Sequence, residues 1–230
     1  MSTTCTPMSS YHPPVTPITV IHADDDLMVV EKPAGLLSVP GRGAEKQDCL
    51  LSRLRETWPS VVEVHRLDMS TSGLMLVARN DAMQRELHRL FRDRLISKRY
   101  VAAVDGLVEA NSGSIDFPLI CDWPNRPRQM VDHNIGKPSL THYRVLVRLP
   151  EARVTQIELE PVTGRSHQLR VHLAAIGHPI LGDDLYAGKA ATRASRLLLH
   201  AAKIAFTHPV TGLAMNFQSE APFFPWENSQ

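Results

Sequence analysis

The stretch Val64–Arg79, V-H-R-L-D-M-S-T-S-G-L-M-L-V-A-R, places a cluster of polar residues immediately before an apolar run. The run Leu74–Ala78 is short and continuously apolar, which predicts a buried strand. Asp68 stands at the edge of that strand, where a buried carboxylate is costly unless it is paired or hydrogen-bonded. The stretch therefore predicts a polar turn at the edge of the core, in which Asp68 needs a cation as partner.

The composition allows one substantial core. With 230 residues, 43% of them hydrophobic, the chain can bury a single core or a core divided between two lobes. The formal net charge of +1 gives no global sign of a nucleic-acid partner, so that interpretation depends on where the basic residues lie. Many of them crowd one part of the chain: Arg53, Arg55, Arg66, Arg79, Arg85, Arg89, Arg92, Arg94, Lys98 and Arg99. The ordinary interpretation of any single one is a solvated helix face.

Several classes of protein do not fit the sequence. Cys5, Cys49 and Cys121 are far apart and lack the C-x-x-C spacing of a zinc site, and their spacing does not suggest a disulfide framework, so a reducing cytoplasm fits. Residues 1–17 are rich in Pro, Ser and Thr and lack the features of a signal peptide, which predicts a flexible tail. No apolar segment is long enough to cross a membrane, so no membrane partner is expected.

Cofactor and metal signatures are also missing. The glycines at 41 and 43 do not complete a dinucleotide-binding motif, because Lys46 stands where the third glycine should be. His167 and His172 are five residues apart and do not match the spacing of metal ligands. We therefore expect neither a cofactor nor a metal.

The order of the predicted elements alternates strands with a few helices. We predict strands at 18–21, 27–30, 97–104, 141–147, 153–160 and 196–206, and a hairpin-like turn before 215–218. Helices are predicted from Asp48 to Trp58, from Asp81 as a cap with Gln84 completing a capping box, and from Ser166 as a cap to Gly177. The second helix has an apolar stripe of Met83, Leu87, Leu90 and Phe91 at helical spacing.

The loop-rich stretch 117–143 contains an aromatic residue among arginines. Trp123, Arg126 and Arg128 lie within D-W-P-N-R-P-R-Q, a combination that suits stacking on bases and contact with phosphates. From this stretch alone, a surface loop with one anchoring tryptophan is equally compatible.

Several motifs follow one another in a recognisable order. They are H-R-L-D-x-x-T-S-G-L, K-R-Y, T-G-R-S-H-Q-L-R-V-H, G-H-P-I-L-G-D and R-L-L-L-H-A. Together they resemble the RluA family of RNA pseudouridine synthases over residues 18–218. The resemblance is strongest to members that act on stem-loops of both 23S rRNA and tRNA, including the tRNA anticodon stem-loop.

The resemblance implies an α+β fold in which a mixed, largely antiparallel central sheet is flanked by helices and crossed by an RNA-binding cleft. It also implies one catalytic domain of two lobes over residues 18–230, without the N-terminal S4-like domain of larger relatives. We expect a monomer that binds RNA through a local basic cleft, with salt-sensitive affinity.

The resemblance also implies roles for individual residues. Asp68 would be the catalytic carboxylate, Tyr100 would lie against the uracil, and Arg165 would pair with Asp68. Residues implied or suggested to bind the substrate are His65, Arg66, Leu169, Trp123, Arg126 and Arg128. Among these, Leu169 would wall the base pocket and Arg66 would fill the gap left by the displaced base.

These roles are chemically consistent. Conversion of uridine to pseudouridine breaks the bond from N1 to C1′ and joins C5 to C1′, so no redox cofactor is needed. A carboxylate that adds to the base or sugar, or removes a sugar proton, must be ionised, and Arg165 beside Asp68 would favour that form. Tyr100 offers a face for stacking and an oxygen to accept the C5 proton. Extrusion of the uridine costs a few kcal/mol.

Other functions remain open at this point. A synthase restricted to ribosomal RNA and a non-catalytic RNA-binding protein on the same fold are both compatible with the motifs. A glycosidase or nuclease would need a second acid or a metal, for which Asp183 is the candidate. The products distinguish these classes, since only a synthase leaves the mass of the RNA unchanged.

Overall fold

The computed structural model describes residues 11–223. The strands within this range are β1 (Thr19–Ala23), β2 (Leu27–Lys32), β3 (Val62–Glu63), β4 (Ser72–Ala78), β5 (Ser97–Asp105), β6 (Ser112–Asp116), β7 (Leu119–Cys121), β8 (Gln129–Val131), β9 (Leu140–Leu149), β10 (Val154–Pro161), β11 (Leu199–Thr207) and β12 (Ala214–Gln218). The helices are α1 (Leu50–Arg55), α2 (Asp81–Arg92) and α3 (Gln168–Ala175), with short 3₁₀ turns at Ala44–Lys46, Trp123–Asn125 and Gly188–Arg193. No helix in this range is long and apolar enough to span a membrane.

Ten strands form one sheet in the order β1-β2-β4-β11-β5-β10-β9-β6, with β3 paired to β4 and β12 to β11. Every pairing in it is antiparallel except that between β4 and β11, which is parallel. A separate hairpin is formed by β7 and β8. This arrangement confirms the predicted α+β fold with a mixed, largely antiparallel sheet flanked by helices.

The predicted buried strand is β4, and all seven of its residues are buried. Successive strand side chains point to opposite faces, so a continuously apolar strand must be covered on both. One face packs Leu74 and Leu76 against Leu87 of α2, and the other packs Met75 and Val77 against α1. Full burial of each such side chain stabilises the fold by ~1.5–3 kcal/mol. The polar turn before β4 is therefore anchored to the best-packed strand of this half.

The other half of the sheet has its own core. Ile157 and Leu159 of β10 pack with Ala102 of β5 and with Leu169 and Leu173 of α3. Since α3 carries the second polar motif at its start, its packing brings that motif toward the junction of the two halves.

The two halves of the sheet meet where β4 pairs with β11. Only two residue pairs form this contact, Ser72 with His200 and Gly73 with Ala201. Gly73 has a φ of +111°, and a Cβ at this position would collide with the backbone of Ala201. A side chain is therefore excluded at the point where the halves approach most closely.

A chain of side-chain hydrogen bonds crosses this junction. Arg196 Nη2 donates to Ser72 Oγ (2.6 Å), which bonds to His200 Nδ1 (2.8 Å). On the other side of the ring, His200 Nε2 bonds to Ser219 Oγ (2.9 Å), which donates to Glu31 Oε1 (2.8 Å). We call these five residues the interlobe hydrogen-bond chain.

In the interlobe hydrogen-bond chain, one donor and one acceptor can be assigned to every bond without conflict. Because Ser219 gives its hydroxyl proton to Glu31, it accepts from His200 Nε2–H, and His200 Nδ1 then accepts from Ser72. Burial, together with the nearby Arg196, lowers the pKa of His200 to about 4. The ring is thus neutral at physiological pH, and each of its nitrogens has a partner.

The caps of the first two helices differ from the sequence predictions. Asn80, not Asp81, caps α2, since its backbone is extended and its side chain accepts a hydrogen bond from Met83 N (2.8 Å). Gln84 does not complete a capping box and instead donates to the carbonyl of Glu63 (2.7 Å). The stripe of Met83, Leu87 and Leu90 is buried, as predicted.

In α1 the cap is Cys49, which exchanges hydrogen bonds with Ser52. Asp48, predicted to start this helix, instead forms an ion pair with Arg53 (2.7 Å). The helix ends at Arg55, before the predicted Trp58.

Part of the predicted flexible tail makes defined contacts. The Tyr11 hydroxyl accepts from Leu37 N (2.9 Å) and donates to Asp48 O (3.0 Å), and Arg53 donates to the carbonyl of Pro14 (2.8 Å). Residues 11–17 therefore lie against the loop and helix that follow β2. The Tyr11 phenol bonds to backbone groups of Leu37 and Asp48, and the Arg53 guanidinium bonds to the carbonyl of Pro14. Residues 1–10 lie outside the described residues.

Candidate active site

The turn that carries Asp68 is fixed by hydrogen bonds to its backbone on both sides. The Ser38 hydroxyl donates to the carbonyl of Leu67 (2.7 Å) and accepts from its N–H (3.1 Å). The carbonyl of Met69 accepts from Gly35 N (2.8 Å) and from Lys32 Nζ (3.1 Å). Asp68 therefore lies between Leu67 and Met69, whose backbones are held by hydrogen bonds from residues 32–38.

Lys32 supports this turn from inside the protein. Its side chain is fully buried at the end of β2, and Nζ also donates to the carbonyls of Pro33 (2.9 Å) and Leu36 (2.7 Å). Burial lowers the pKa of this lysine to about 7, while the nearby Asp68 acts in the opposite direction. The three carbonyl acceptors match the three donors of an ammonium group, which favours the charged form.

Two basic side chains face the carboxylate of Asp68. Its Oδ2 lies 3.6 Å from Arg170 Nη1 and 3.9 Å from His167 Nε2. The side chain of Asp68 is 31% exposed, whereas that of Arg170 is 3% exposed. A reactant can therefore reach the carboxylate from the cleft while its basic neighbours remain covered.

Arg170 is held by a second carboxylate. Its Nε and Nη2 donate to the two oxygens of fully buried Asp183 (2.8 and 2.6 Å), and Nη2 also donates to Asp184 (3.1 Å). This bidentate geometry fixes the guanidinium plane and directs Nη1 toward Asp68. Asp183 is thus committed to Arg170 and to the backbone N–H groups of residues 185 and 186, so it is not a free second acid.

The partner of Asp68 is not the predicted one. The guanidinium of Arg165 lies over the carbonyl of Pro138 (3.4 Å), and the ion pair with Asp68 is made by Arg170. The predicted Ser166 cap is also absent, because α3 begins after His167, whose backbone is left-handed (φ 53°). This bend leaves Arg165 in the exposed segment before the helix and puts Arg170 in its buried first turn.

Tyr100 lies between the cores of the two halves, against the cleft. Burial and then the charge of Asp68 raise the pKa of its phenol. The group is therefore a protonated phenol at neutral pH, and its ring offers an apolar face beside Asp68.

The cleft containing these groups has a volume of about 610 Å³. Leu169 lines it from α3 and is nearly buried, while Arg66 lines it from the Asp68 turn and is exposed. Arg165 and Tyr100 also contribute to the lining. The structure thus brings these predicted residues around one opening at the junction of the halves.

His65 lines the cleft but is also part of the packed core. Its Nε2 accepts a hydrogen bond from Leu76 N (2.9 Å), and its ring packs against Phe91 at 4.7 Å between centroids. Burial, followed by the nearby Lys98, lowers its pKa to about 3. A neutral His65 therefore fastens the turn to β4.

The predicted stacking loop lies outside the lining of the cleft. Trp123 is 65% exposed at the tip of the β7–β8 hairpin, with the Arg126 guanidinium 4.8 Å from its ring. Arg128 is the member nearest the site, since its guanidinium lies 5.4 Å from the ring of Tyr186. Tyr186 in turn bonds to His167 through its hydroxyl (2.7 Å).

Sequence reasoning did not select Arg170, His167 or Lys32. Arg170 carried a usable signal, because an arginine between Leu169 and Val171 in an apolar helical segment must be buried and needs an acid. Its acid, Asp183, is a long-range contact that the sequence alone does not reveal.

Within residues 11–223, the side chains whose geometry is nearest to that of a metal site lie away from the cleft. Ligand atoms of Asp24, Asp26 and His208 are within 4.8 Å of one another. However, His208 Nδ1 accepts from the N–H groups of Val210 and Thr211, so the ring proton lies on Nε2, which faces Asp24 at 3.3 Å. A metal on Nε2 would have to displace that proton, and the arrangement fits a hydrogen-bonded turn better.

Comparison with known proteins gives a consistent result. Residues 26–175 match the family described as RNA pseudouridylate synthase. A protein of Escherichia coli strain K12 named dual-specificity RNA pseudouridine synthase RluA is 50% identical over 94% of this chain and 99% of its own length. A protein of the same name from Vibrio vulnificus strain CMCP6 is 52% identical over 95% of this chain and 89% of its own length.

A solved structure shares the fold. That of human RNA Pseudouridylate Synthase Domain Containing 1 superposes with a TM-score of 0.74 at 29% identity, covering 96% of this chain and 88% of the human one.

Proposed function

Because this chain belongs to the RNA pseudouridylate synthase family, we propose that it modifies uridines in stem-loops of both 23S rRNA and tRNA, with Asp68 as the catalytic carboxylate. The chain is an RNA pseudouridine synthase, an isomerase that converts uridine in RNA to pseudouridine. Support for two kinds of substrate comes from relatives named dual-specificity enzymes that are about half identical over nearly the whole chain. Support for the role of Asp68 comes from its geometry.

The observation that carries the assignment is the position of Asp68 at the cleft, partly exposed and facing two covered basic groups. Arg170 places a positive charge 3.6 Å from the carboxylate, and the bidentate bond to Asp183 keeps that charge in place. An ionised carboxylate is needed whether it adds to the base or sugar or removes a sugar proton. We assign Arg170, rather than Arg165, the role of pairing with Asp68.

The isomerisation requires only the RNA and protein side chains such as those of Asp68 and Tyr100. The bond from N1 to C1′ breaks, the uracil rotates, C5 bonds to C1′, C5 loses its proton and N1 gains one. A flat apolar surface is needed to hold the detached uracil, and Tyr100 and Leu169 supply one at the cleft. The phenol of Tyr100 is protonated, so it can accept the C5 proton only if its own proton moves on.

Recognition of the RNA is assigned to exposed residues around the cleft. We assign Arg66 to the space left by the extruded uridine, because it is exposed beside Asp68. Arg126 and Trp123 form an exposed pair suited to stacking and phosphate contact on the hairpin. Arg165 is exposed at the cleft and suits a phosphate contact.

We further propose a monomer that acts in the cytoplasm. The buried Cys49 and half-buried Cys121 are free thiols, as suits a reducing compartment.

The test is the release of tritium from C5-labelled uridine, because formation of the new bond expels that hydrogen. Purified full-length protein is incubated with labelled tRNA and with 23S rRNA fragments, alongside Asp68→Asn. We expect release from both RNAs with the unmodified protein and none with the variant, while both bind RNA equally. Arg165→Lys serves as a matched control for the assignment of Arg170, since it should retain release.

The outcomes separate the parts of the proposal. Release from rRNA but not from tRNA would overturn dual specificity and leave the activity in place. Undiminished release by Asp68→Asn would overturn the assignment of the carboxylate.

A further inference from the structure

Tyr186 lies behind His167, on the side away from Asp68, and the reaction described above does not use it. Its hydroxyl has two hydrogen-bond partners, the N–H of Gln129 on β8 (2.8 Å) and Nδ1 of His167 (2.7 Å). The hydroxyl therefore joins the β7–β8 hairpin to a side chain that faces the catalytic carboxylate.

The direction of these bonds follows from the number of protons available. A backbone N–H can only donate, so the oxygen of Tyr186 accepts from Gln129 and has one proton left to give. When that proton goes to Nδ1 of His167, a neutral imidazole must carry its own proton on Nε2. Nε2 is the nitrogen that lies 3.9 Å from Asp68 Oδ2, so an N–H group faces the carboxylate.

The opposite tautomer is electrostatically unfavourable. It would place the lone pair of Nε2 against the negative charge of Asp68 and leave the hydroxyl proton of Tyr186 without a partner. The charged groups around His167 are Asp68, Arg170, Asp183 and Asp184, and burial lowers the pKa of His167 more strongly than they alter it. A neutral ring with its proton on Nε2 gives the Tyr186 hydroxyl an acceptor and turns an N–H group, not a lone pair, toward Asp68.

The ring of Tyr186 also contacts the other basic neighbour of Asp68. The guanidinium of Arg170 lies 5.2 Å from its centroid, and Arg128 approaches the same ring at 5.4 Å. In addition, the N–H of Tyr186 donates to Asp183, which holds Arg170 (3.1 and 2.6 Å). Tyr186 thus touches both groups that face the catalytic carboxylate.

We propose that Tyr186 is a positioning residue that fixes His167 in the Nε2–H tautomer and thereby orients Asp68 for the reaction. This inference rests on the proposed role of Asp68 as the catalytic carboxylate. It also makes the geometry of Asp68 depend on the β7–β8 hairpin, through the bond from Gln129.

The first test removes the hydroxyl and keeps the ring. Tyr186→Phe removes the hydrogen bonds to Gln129 and His167. Loss of the bond to His167 should lower kcat for tritium release about tenfold, and KM should stay within about twofold. Tyr143→Phe is the matched control, since Tyr143 packs from β9 against the core that also holds α3 and does not line the cleft, and it should leave both constants unchanged. Thermal unfolding of each variant shows that it is folded.

The second test observes the tautomer directly. Long-range ¹H–¹⁵N correlations of the imidazole rings, with the signal of His167 identified by its loss in His167→Gln, should show a neutral ring protonated on Nε2. In Tyr186→Phe the nitrogen shifts should move toward a mixture of tautomers, and in Tyr143→Phe they should stay as in the unmodified protein.

The third test asks whether Tyr186 acts through His167. In a His167→Ala background, Tyr186→Phe should cause no further loss of kcat, because the residue it orients is missing. His167→Gln, whose amide can offer an N–H to Asp68, should recover part of the activity lost in His167→Ala.

Three results would overturn the proposal: a His167 proton on Nδ1 in the unmodified protein, an unchanged kcat in folded Tyr186→Phe, or additive losses in the double variant. Failure of the proposed function is distinguishable from these. It would remove tritium release by the unmodified protein, whereas the NMR measurement does not depend on activity.

Discussion

Two polar arrangements begin within four residues of each other and differ in how completely they are satisfied. In the interlobe hydrogen-bond chain, Ser72 and His200 are buried and each of the four hydrogen bonds is 2.9 Å or shorter. At the cleft, Asp68 is 31% exposed and its nearest cation is 3.6 Å away. In the first arrangement both ring nitrogens of His200 have hydrogen-bond partners, whereas the second keeps a carboxylate available in the cleft. The interlobe hydrogen-bond chain thus holds the turn in place, and Asp68 at the cleft is left to react.

The largest expected difference is between two single variants, Asp68→Asn at the cleft and Ser72→Ala in the interlobe hydrogen-bond chain. Asp68→Asn should lower activity about 10³-fold or more and change the free energy of unfolding by less than about 0.5 kcal/mol, since a partly exposed group is replaced by one of the same shape. Ser72→Ala should keep most of the activity and cost about 1–3 kcal/mol, because buried partners on both sides lose a bond. Denaturant unfolding and tritium release measure the two quantities. An equal fall in the free energy of unfolding in Asp68→Asn and Ser72→Ala would contradict the division into a stabilising and a reactive arrangement.

Arg170 should show both kinds of effect, because it faces Asp68 and also neutralises Asp183. Arg170→Met leaves Asp183 buried without its cation, which should cost about 3–5 kcal/mol of stability as well as activity. The matched control is Arg165→Met, whose guanidinium is exposed and lies over a carbonyl, with an expected change below about 0.5 kcal/mol. If the two variants unfold at the same denaturant concentration, the burial argument for Arg170 is wrong.

The neutral state of His200 predicts a dependence of stability on pH. Its pKa is about 4 in the folded protein and near 6.5 when unfolded, so between these values the unfolded chain binds a proton that the native state does not. The free energy of unfolding should therefore fall as the pH drops from 6.5 to 4, by at most ~3 kcal/mol from this residue. His200→Asn should show a shallower fall than the unmodified protein. Parallel curves would indicate that His200 does not titrate in this range.

The smallest effect is expected at the exposed hairpin, which belongs to neither arrangement. Trp123→Ala should weaken RNA binding by ~1–3 kcal/mol if one base stacks on the ring, and it should not alter the unfolding free energy. Met130→Ala, at another exposed position on the same hairpin, is the control and should bind RNA normally. Filter binding at two salt concentrations is the measurement. Identical affinities for the two variants would argue against stacking at Trp123.

The sequence predicted most strands of the large sheet and the three helices, but it missed β3, β6 and the β7–β8 hairpin and did not identify the partner of Asp68. The continuous apolar run identified β4, and the stripe of Met83, Leu87 and Leu90 identified α2, because both patterns are local. The resemblance placed the pairing arginine at Arg165, the first of the two arginines in the motif. The apolar neighbours of Arg170 indicated that it is buried, but they did not identify Asp68 as its partner. The choice depends on the left-handed backbone of His167, which sets the start of α3.

The remaining differences have the same origin. Lys32 was not selected from the sequence, yet it is buried and donates to the carbonyls of Pro33, Leu36 and Met69. Only the contact with Met69, 37 positions away, is remote in sequence, and none of the three follows a helical or strand period.

The junction of β4 with β11 has a consequence for when the enzyme becomes active during its synthesis. Ser72 and His200 are separated by 128 positions, and Gly73 can be covered only once β11 exists. At ribosomal rates of ~5–20 residues per second, β11 is synthesised on the order of ten seconds after the Asp68 turn. Until then its polar groups lie on an unfinished sheet edge, so a truncated translation product lacks a working cleft.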